Sequence, residues 1–571
     1  MDKILLEKLV ASLPSNHGSR PEVLTDASPG YDAKRQIFNN KFQFRPFAIV
    51  LVETAEQVSA TVKFANQHPL EVDLKVRSGG HDHEGECTGT DVLMIDFSKM
   101  NAVKVERLDF ICGNNAVSYV VSIEPGARFR QIKPILDAYH IGIPHGTCET
   151  VAIAGFTLGG GWGPWTRAHG MCCERLFGAT LVLGDGEIKV LSLDDPAGSA
   201  EAELLWALRG GGGFSYGIVT ELRFIPFELP ANLCSFNLHC EQEWPGRKTT
   251  EIIRCWENAI GGNGDSRLVG TNLKVVAKHL AARDKPNPNA VLACTFNGYF
   301  AGTEAEARAM IHRYFDPPGS PGEPLRHLAV QVHRSPETSE AAAVQVPEWH
   351  FESWDRHVPS RLQRLETLRQ QPDEFHPGIV LEADGPAPHK ITSRLADAAG
   401  WGEPSREALV CSLQSQWVPS PADLKQDGIP PNHFPIHNYI TVGAITGPYY
   451  ATYDAEKELG SAFPYKNRLF TIQYQVWWDQ YLSPDSVPEG GAAARETASL
   501  DNRPWVNRAE DWIDACRAYP IPGTSGAFIS FKDSAVLTAT YFAESYDKLR
   551  DIKERRSKDQ HLLFRSNKTI I

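Results

Sequence analysis

Glycine is concentrated in two segments of this chain, and they constrain the fold more than any other feature. The first is Lys75-Val-Arg-Ser-Gly-Gly-His81, and the second is GTCETVAIAGFTLGGGWG, residues 146–163. A third run of four glycines occupies residues 210–213. Glycines let backbone N–H groups approach a ligand closely, and such N–H groups bind pyrophosphate without basic side chains. The pattern therefore predicts a site for an anionic dinucleotide.

The alternative is that these glycines only form tight turns, which is the commoner explanation for a single glycine run. Three such loops in one chain favour a ligand site instead. The usual dinucleotide motif is missing, because no Gly-x-Gly-x-x-Gly sequence begins a helix in a β-α-β unit with an acidic residue about 20 positions later. Another dinucleotide-binding fold is required.

The N-terminal part reads as alternating strands and helices. An apolar strand is predicted at residues 48–52, followed by a helix beginning near Thr54, where Thr54 and Gln57 fit a capping box. A later strand, VDLKVRS, runs into Gly79-Gly80-His81, so the first glycine segment lies in a loop after a strand. An Asp185-Gly186 hairpin turn follows further on.

The chain is too long, at 571 residues, for one hydrophobic core. From about residue 226 to 501 the segments become longer and aromatic-rich, with Pro/Gly-rich breaks such as DPPGSPGEP, which predicts a second domain. The C-terminal sequence YFAESYDKLRDIKERR predicts an amphipathic helix.

Charge and cysteine content exclude several classes of protein. A net charge of −13 argues against nucleic-acid binding, which needs clustered Lys and Arg. The first ten residues, MDKILLEKLV, carry charges among the leucines, so we expect neither a signal peptide nor a membrane span, and a cytoplasmic location. The 11 cysteines show no metal spacing and predict no disulfide framework; only Cys148 has neighbours that suggest chemistry.

These motifs resemble a known family. Arg77-Ser78-Gly79-Gly80-His81 is similar to the R-S/G-G-G-H loop of berberine-bridge-type oxidases, in the vanillyl-alcohol-oxidase superfamily of PCMH-type flavoproteins. The segment around Cys148 resembles that family's G-x-C-x-T-V-x-x-x-G-x-x-x-G-G-G-x-G loop. The resemblance continues through residues 204–224, 462–478 and 541–564. It covers the first 225 residues well and the rest in patches.

The resemblance implies an α+β fold and a covalent FAD. In this family the matching histidine bonds the flavin 8α-methyl and the cysteine bonds flavin C6, so His81 and Cys148 are the expected attachment points. The implied domains are an FAD-binding domain at 1–228 made of two α/β subdomains, a substrate domain on an antiparallel sheet at 229–505, and a segment at 506–571 that returns to the FAD-binding domain. The remaining residues expected to bind the flavin are Arg77, Ser78, Gly79, Gly80, Gly146, Thr150, Val151, Gly155, Gly159, Gly160, Gly161, Gly217, Ile218, Val219 and Tyr546.

The family pattern leaves the catalytic base open. Relatives often carry a histidine where this chain has Phe156, and a catalytic tyrosine where it has Phe531, which cannot take a proton. Period-2 geometry puts Gln473 and Gln475 on one strand face, where they orient a hydroxyl or are merely exposed. Tyr474 points the other way, more as a core aromatic than as a base. His169 is as plausible a base as it is a satisfied polar residue.

The expected activity is an FAD-dependent oxidase that moves a hydride from a C–H bond beside oxygen or nitrogen to flavin, and then electrons to dioxygen, giving hydrogen peroxide. Val151 matches the family's oxygen-access gate, and its small side chain favours dioxygen as the acceptor. The expected substrate is a small secondary metabolite, with a sugar or oligosaccharide as the alternative. A flavin-binding protein without turnover is a further alternative, motivated by Phe156 and Phe531. We expect a monomer or homodimer that binds neither nucleic acid nor membrane.

Overall fold

The computed structural model describes residues 3–112, 115–262, 264–316, 322–334, 387–420, 436–453, 460–478 and 503–571. Three large sheets, of four, five and eight strands, carry the fold in that order along the chain. Helices cover these sheets, and among the described helices none is long and apolar enough to cross a membrane.

The four-stranded sheet has the order β1-β2-β4-β3, in which β2, β4 and β3 run parallel and β1 is antiparallel to β2. Every residue of β2 and β4 is buried, as expected for parallel strands covered on both faces. The elements are α1 (Lys3–Ser12), β1 (Glu22–Leu24), α2 (Tyr31–Arg35), β2 (Ala48–Leu51), α3 (Ala55–Gln67), β3 (Leu74–Arg77) and β4 (Leu93–Asp96).

The start of α3 confirms the predicted cap. The Thr54 hydroxyl accepts a hydrogen bond from the Gln57 N–H at 3.3 Å, and the Gln57 side chain accepts one from the Glu53 N–H at 2.8 Å. Two N–H groups are therefore satisfied at the helix terminus, although the return bond goes to Glu53 rather than to Thr54.

The five-stranded sheet is antiparallel with the order β5-β6-β10-β8-β9. The Asp185-Gly186 turn joins β8 to β9, as predicted, and Gly186 has a φ of +83°. This part contains β5 (Val103–Cys112), β6 (Asn115–Ile123), α4 (Phe129–Asp137), β7 (Ile141–Gly142), α5 (Ile153–Leu158), α6 (Thr166–His169), β8 (Leu176–Val182), β9 (Ile188–Ser192), α7 (Ala200–Leu208), β10 (Ile218–Phe224) and β11 (Phe227–Glu228), with a 3-10 turn at Cys172–Arg175.

The eight-stranded sheet is antiparallel, in the order β16-β12-β15-β13-β19-β20-β17-β21. Helices pack on one face around the buried Trp256 and Trp512. Its strands are β12 (Asn232–His239), β13 (Leu268–Val276), β15 (Cys294–Phe300), β16 (Leu328–Arg334), β17 (His389–Asp397), β19 (Ile436–Ala444), β20 (Arg468–Trp478) and β21 (Thr524–Ser525), with β14 (Lys278–His279) pairing β18 (Gln414–Ser415) beside it. The helices in this stretch of chain are α8 (Cys240–Glu243), α9 (Thr249–Ile260), α10 (Glu304–Phe315), α11 (Glu403–Ser412), α12 (Pro448–Ala451) and α13 (Arg503–Ala518).

The C-terminal segment serves both halves of the molecule. The expected return at residue 506 falls inside α13, which packs on β17 and β20, and β21 then pairs with β17. The chain joins the core of the five-stranded sheet only after Ser525, through α14 (Thr538–Phe542) and α15 (Tyr546–Arg556), whose Leu549 and Ile552 are buried there. Further 3-10 turns lie at Ile529–Phe531 and Ala543–Ser545.

Candidate active site

One cavity lies where the four-stranded, five-stranded and eight-stranded sheets meet. Its volume is about 310 Å³, in the range of small-molecule and cofactor sites. Loops after β3 and before α5 form one side, β20 forms another, and residues 528–532 close a third. Of the predicted binding and catalytic residues, those lining the cavity are Ser78, Gly79, Gly80, His81, Gly146, Cys148, Val151, Gly155, Gly159, Gly217, Ile218, Val219, Gln473 and Gln475.

The two loops that carry His81 and Cys148 are packed against each other. A Cβ on Gly79 would lie 2.7 Å from the backbone N of Ala152, so only glycine permits this approach. The Thr150 hydroxyl lies 3.1 Å from Nε2 of His81, and the imidazole stacks on Phe38 with ring centroids 3.9 Å apart. The His81 ring is thus held in one orientation at the cavity wall, and the half-buried Cys148 lines the same cavity.

The residues present fit a phosphate-bearing cofactor. Gly80 has a φ of +76°, a conformation that side chains rarely adopt. Within the described ranges, the backbone N–H groups of Gly79 and Gly80 meet no acceptor, although both residues line the cavity. Buried N–H groups normally find a partner, so these two are suited to the oxygens of an anionic ligand.

Some predicted binding residues support the site from outside it. Arg77 is buried and pairs with Asp96, with Nε 2.6 Å from Oδ2, which fixes the end of β3. Thr150 acts through His81. Gly160 and Gly161 have φ values of +105° and +83° in the turn after α5 and do not line the cavity.

Tyr546, predicted to bind the flavin, does not line the cavity. It begins α15 and packs against the core of the five-stranded sheet, so it makes no part of the cavity wall. The closing helix serves the fold here, because its buried face meets α7 rather than the ligand space.

Strand β20 presents a polar face to the cavity. Gln473, Gln475 and Trp477 line it, whereas Tyr474 lies on the opposite face, as the predicted alternation requires. Gln475 Oε1 accepts from the Tyr439 hydroxyl at 3.1 Å and from the Trp477 indole N–H at 3.0 Å. Its Nε2 donates to the Thr441 hydroxyl at 3.2 Å, so the amide has a fixed orientation.

Two predicted candidates for the base lie away from the cavity and are corrected. Tyr474 is fully buried in the helix-covered core, with its hydroxyl 2.8 Å from that of Ser412. His169 stacks on Phe227 with centroids 3.7 Å apart, and Arg175 donates to its Nδ1 at 3.3 Å. Burial, reinforced by the Arg175 charge, lowers the pKa of His169 to about 3. Both residues serve packing.

Sequence reasoning missed a pair of histidines at the cavity. Nδ1 of His83 lies 2.9 Å from Nε2 of His389, although 306 positions separate them in the chain. His83 lines the cavity, and His389, on β17, is buried behind it against the Trp477 ring at 4.0 Å between centroids. The only sequence signal is that His83 lies two residues after His81.

A charged cluster at the cavity wall was also missed. Lys532 lies 2.8 Å from an Asp82 oxygen and 2.9 Å from a Glu86 oxygen, and the Ser566 hydroxyl donates to Glu86 at 2.7 Å. Burial opposes ionisation of Asp82, but the Lys532 charge prevails and lowers the pKa of that carboxyl. The cluster ties the loop after His81 to the C-terminal segment.

Comparisons with known proteins match the part of the chain that carries the two glycine-rich segments. A family model for the FAD binding domain matches residues 46–192, which include both glycine-rich segments. Glucooligosaccharide oxidase of Sarocladium strictum is 33% identical over 50% of this chain and 50% of its own length, so the alignment spans about half of that relative. Berberine bridge enzyme-like 21 of Arabidopsis thaliana is 23% identical over 93% of this chain and 84% of its own.

Solved structures share this fold. Physcomitrella patens BBE-like 1 aligns over 99% of both chains with a TM-score of 0.67 and 16% identity. Glucooligosaccharide oxidase from Acremonium strictum, described with a 6-S-cysteinyl, 8α-N1-histidyl FAD, aligns over 96% of this chain and 97% of its own with a TM-score of 0.65 and 20% identity. The chain therefore carries an FAD-binding domain at residues 46–192 within a vanillyl-alcohol-oxidase-type fold, and its homologues include berberine bridge enzyme-like proteins and oligosaccharide oxidases.

Proposed function

We propose that this protein is an oxidase that holds FAD covalently through His81 and Cys148 and oxidises a C–H bond next to oxygen or nitrogen. The observation that carries the proposal is the shared cavity, in which His81 and Cys148 come from two packed loops and line the same space as Gln473 and Gln475 of β20. When bound, FAD supplies the hydride acceptor, and dioxygen takes the electrons to give hydrogen peroxide.

The chain itself orients and shields the reacting groups. Gln473 and Gln475 line the same cavity as the two loops, and their amides can position a substrate hydroxyl. Gln475 is held by three hydrogen bonds and is therefore preorganised for this role. Val151, which matches the family's oxygen-access gate, lines the cavity, and its small side chain favours access by dioxygen.

The attachment also tunes the cofactor. The bond to the His81 imidazole and the thioether bond to Cys148 both withdraw electron density from the flavin ring, and together they fix its position. We expect a raised flavin potential and hence access to difficult hydride abstractions. The Phe38 stack and the Thr150 contact favour this linkage by holding the His81 ring still.

The preferred substrate is a small secondary metabolite with an oxidisable alcohol. Several aromatic side chains line the cavity, among them Trp477, Phe528 and Phe531, and flat apolar scaffolds bury well against such rings. A second candidate is an oligosaccharide, which the names of several relatives favour.

Retention of flavin after denaturation tests the double attachment. We expect acid-precipitated protein to stay yellow, because covalent bonds survive the loss of fold. Single variants His81→Ala and Cys148→Ala should each keep the colour through the remaining bond, and only the double variant should release flavin. The readout is absorbance of pellet and supernatant, with mass spectra of the two peptides. A colourless wild-type pellet contradicts the attachment.

Peroxide release tests the oxidase activity and separates the substrate classes. Aerobic protein is incubated with benzyl alcohol and cinnamyl alcohol in one arm and with cellobiose, chitobiose and xylobiose in the other. Peroxide in the first arm supports the metabolite class, and peroxide in the second supports the oligosaccharide class. A third outcome is that flavin is bound, no peroxide forms in either arm, and the flavin does not bleach in the absence of oxygen. That outcome favours a flavin-binding protein without turnover and contradicts the proposal.

A further inference from the structure

The pair formed by His83 and His389 has a defined direction of hydrogen bonding. Nδ1 of His389 lies 2.8 Å from the carbonyl oxygen of Ala387, which can only accept, so this nitrogen carries the proton. In a neutral His389 ring, Nε2 is then the acceptor. Nδ1 of His83, at 2.9 Å, must donate to it.

This chain of hydrogen bonds fixes the tautomer of His83. With the proton on Nδ1, the other ring nitrogen, Nε2, is left as a lone-pair acceptor. His389 is itself held against Trp477, at 4.0 Å between ring centroids, so the donor and acceptor order does not depend on a mobile side chain. A half-buried imidazole at the cavity wall thus carries an unprotonated nitrogen.

The surroundings keep His83 neutral. Burial lowers its pKa to about 4; the Asp82 carboxylate opposes the change and the Lys532 charge adds to it. The nearby carboxylate of Glu86 is paired with Lys532. Because the pKa lies below neutrality, the ring is neutral at pH 6 to 8, and Asp82 favours the imidazolium that proton uptake creates.

Other groups lining the cavity are poor proton acceptors. Phe531, whose ring centroid is 6.5 Å from that of His83, has no acceptor, and Gln473 and Gln475 are amides. Burial raises the pKa of Cys87 to about 12. Asp82 and Glu86 are both paired with Lys532, which favours their ionised, unprotonated form. His81 and Cys148 are taken up by the proposed flavin attachment.

We propose that Nε2 of His83 accepts the substrate proton, with His389 as the positioning residue that fixes its tautomer; this rests on the proposed oxidase function. For an alcohol, the O–H bond breaks as the proton passes to His83, the C–H bond breaks as a hydride passes to FAD, and the carbon–oxygen double bond forms. The hydride carries both electrons, FAD would pass them with that hydrogen to dioxygen, one proton from solvent would complete hydrogen peroxide, and His83 returns its own proton to solvent.

The tautomer is tested first, on the flavin-loaded protein without substrate. Ring-¹⁵N-labelled histidine is observed by NMR in the wild type and in His83→Gln, and the lost signals belong to His83. We expect protonated Nδ1 and unprotonated Nε2 from pH 8 to 6, with charging only near pH 4. His389→Leu should mix the two tautomers. A protonated Nε2 at pH 7, or a His83 that is charged there, overturns the proposal.

The rate of flavin bleaching without oxygen is the second test. With benzyl alcohol or cellobiose as the reductant, His83→Gln should slow bleaching about 100- to 10,000-fold, the range for loss of a general base. His169→Gln, a buried histidine outside the cavity, is the matched control and should bleach at nearly the wild-type rate. All variants are first checked for an unchanged flavin content.

The outcomes separate this inference from the proposed function. If neither compound bleaches wild-type flavin, the oxidase function fails for those substrates, while the NMR result still decides the state of His83. If the wild type bleaches and His83→Gln bleaches within threefold of it, His83 is not the base although the oxidase function stands. Partial recovery of His83→Ala by added imidazole, absent in His83→Gln, supports a proton-accepting role.

Discussion

At the scale of single residues, strand alternation separates the side chains of β20 that line the cavity from those that pack in the core. Gln473 and Gln475 line the cavity, and Tyr474 between them lies among the core residues with its hydroxyl beside Ser412. Side chains on a regular strand alternate strictly, so this assignment was predictable from the sequence. Tyr474 is therefore a structural residue, although the residues on both sides of it line the cavity.

This assignment predicts the effect of Tyr474→Phe. The substitution removes one buried hydroxyl contact, so the free energy of unfolding should fall by about 0.5–1.5 kcal/mol, the net value of a neutral hydrogen bond. Flavin content and the rate of flavin bleaching should match the wild type. Urea unfolding and anaerobic bleaching measure the two quantities. A bleaching rate lowered tenfold with the stability unchanged would return Tyr474 to the list of catalytic residues.

At the scale of elements, the sequence predicted those defined by local pattern and missed those defined by distant contacts. The capped helix α3, the Asp-Gly hairpin between β8 and β9 and the loop position of His81 follow from neighbouring residues. The pairing of His83 with His389 joins residues 306 positions apart, and α13 packs on β17 and β20, which precede it without being its neighbours in local sequence. No local periodicity encodes such contacts, so they require the folded chain.

The contact of α13 with the cavity segment gives a prediction with an internal control. Arg517 of α13 pairs with the fully buried Asp533, with Nε 2.6 Å from Oδ2, and with the exposed Asp514 at 2.9 Å. Asp533→Asn should lower the free energy of unfolding by about 1.5–3 kcal/mol, because a buried charge-assisted hydrogen bond is lost. Asp514→Asn should cost less than about 1 kcal/mol, since exposed pairs contribute little.

Urea unfolding of the two variants decides this point, and substrate affinity adds a second readout. Asp533 follows directly on Phe531 and Lys532, which line the cavity, so Asp533→Asn should also weaken substrate binding. Equal losses of stability in the two variants would show that burial does not govern the strength of this contact.

At the scale of the whole molecule, the cavity is closed by residues from opposite ends of the chain. Lys532 joins Asp82 and Glu86 of the loop after His81, and Ser566 donates to Glu86. The C-terminal segment leaves the eight-stranded sheet after Ser525 and crosses this loop before its last residues join the two N-terminal cores. Assembly of the site is thus coupled to docking of the C-terminal segment, which also explains why no single stretch of sequence revealed the cluster.

The coupling predicts a pH-dependent loss of stability in Lys532→Met. Asp82 has a lowered pKa in the folded protein, so its contribution is present above the unfolded pKa of about 3.9 and is lost as pH falls through the folded value. Removing Lys532 leaves two carboxylates together in a largely buried site, which should cost about 3 kcal/mol at pH 8. The cost should shrink at pH 4.5, where protonation of the carboxylates relieves their repulsion.

The control variant Lys532→Arg keeps the positive charge and should lose much less stability at both pH values. If urea unfolding gives the same loss for Lys532→Met at pH 8 and pH 4.5, the lysine acts by packing rather than by its charge.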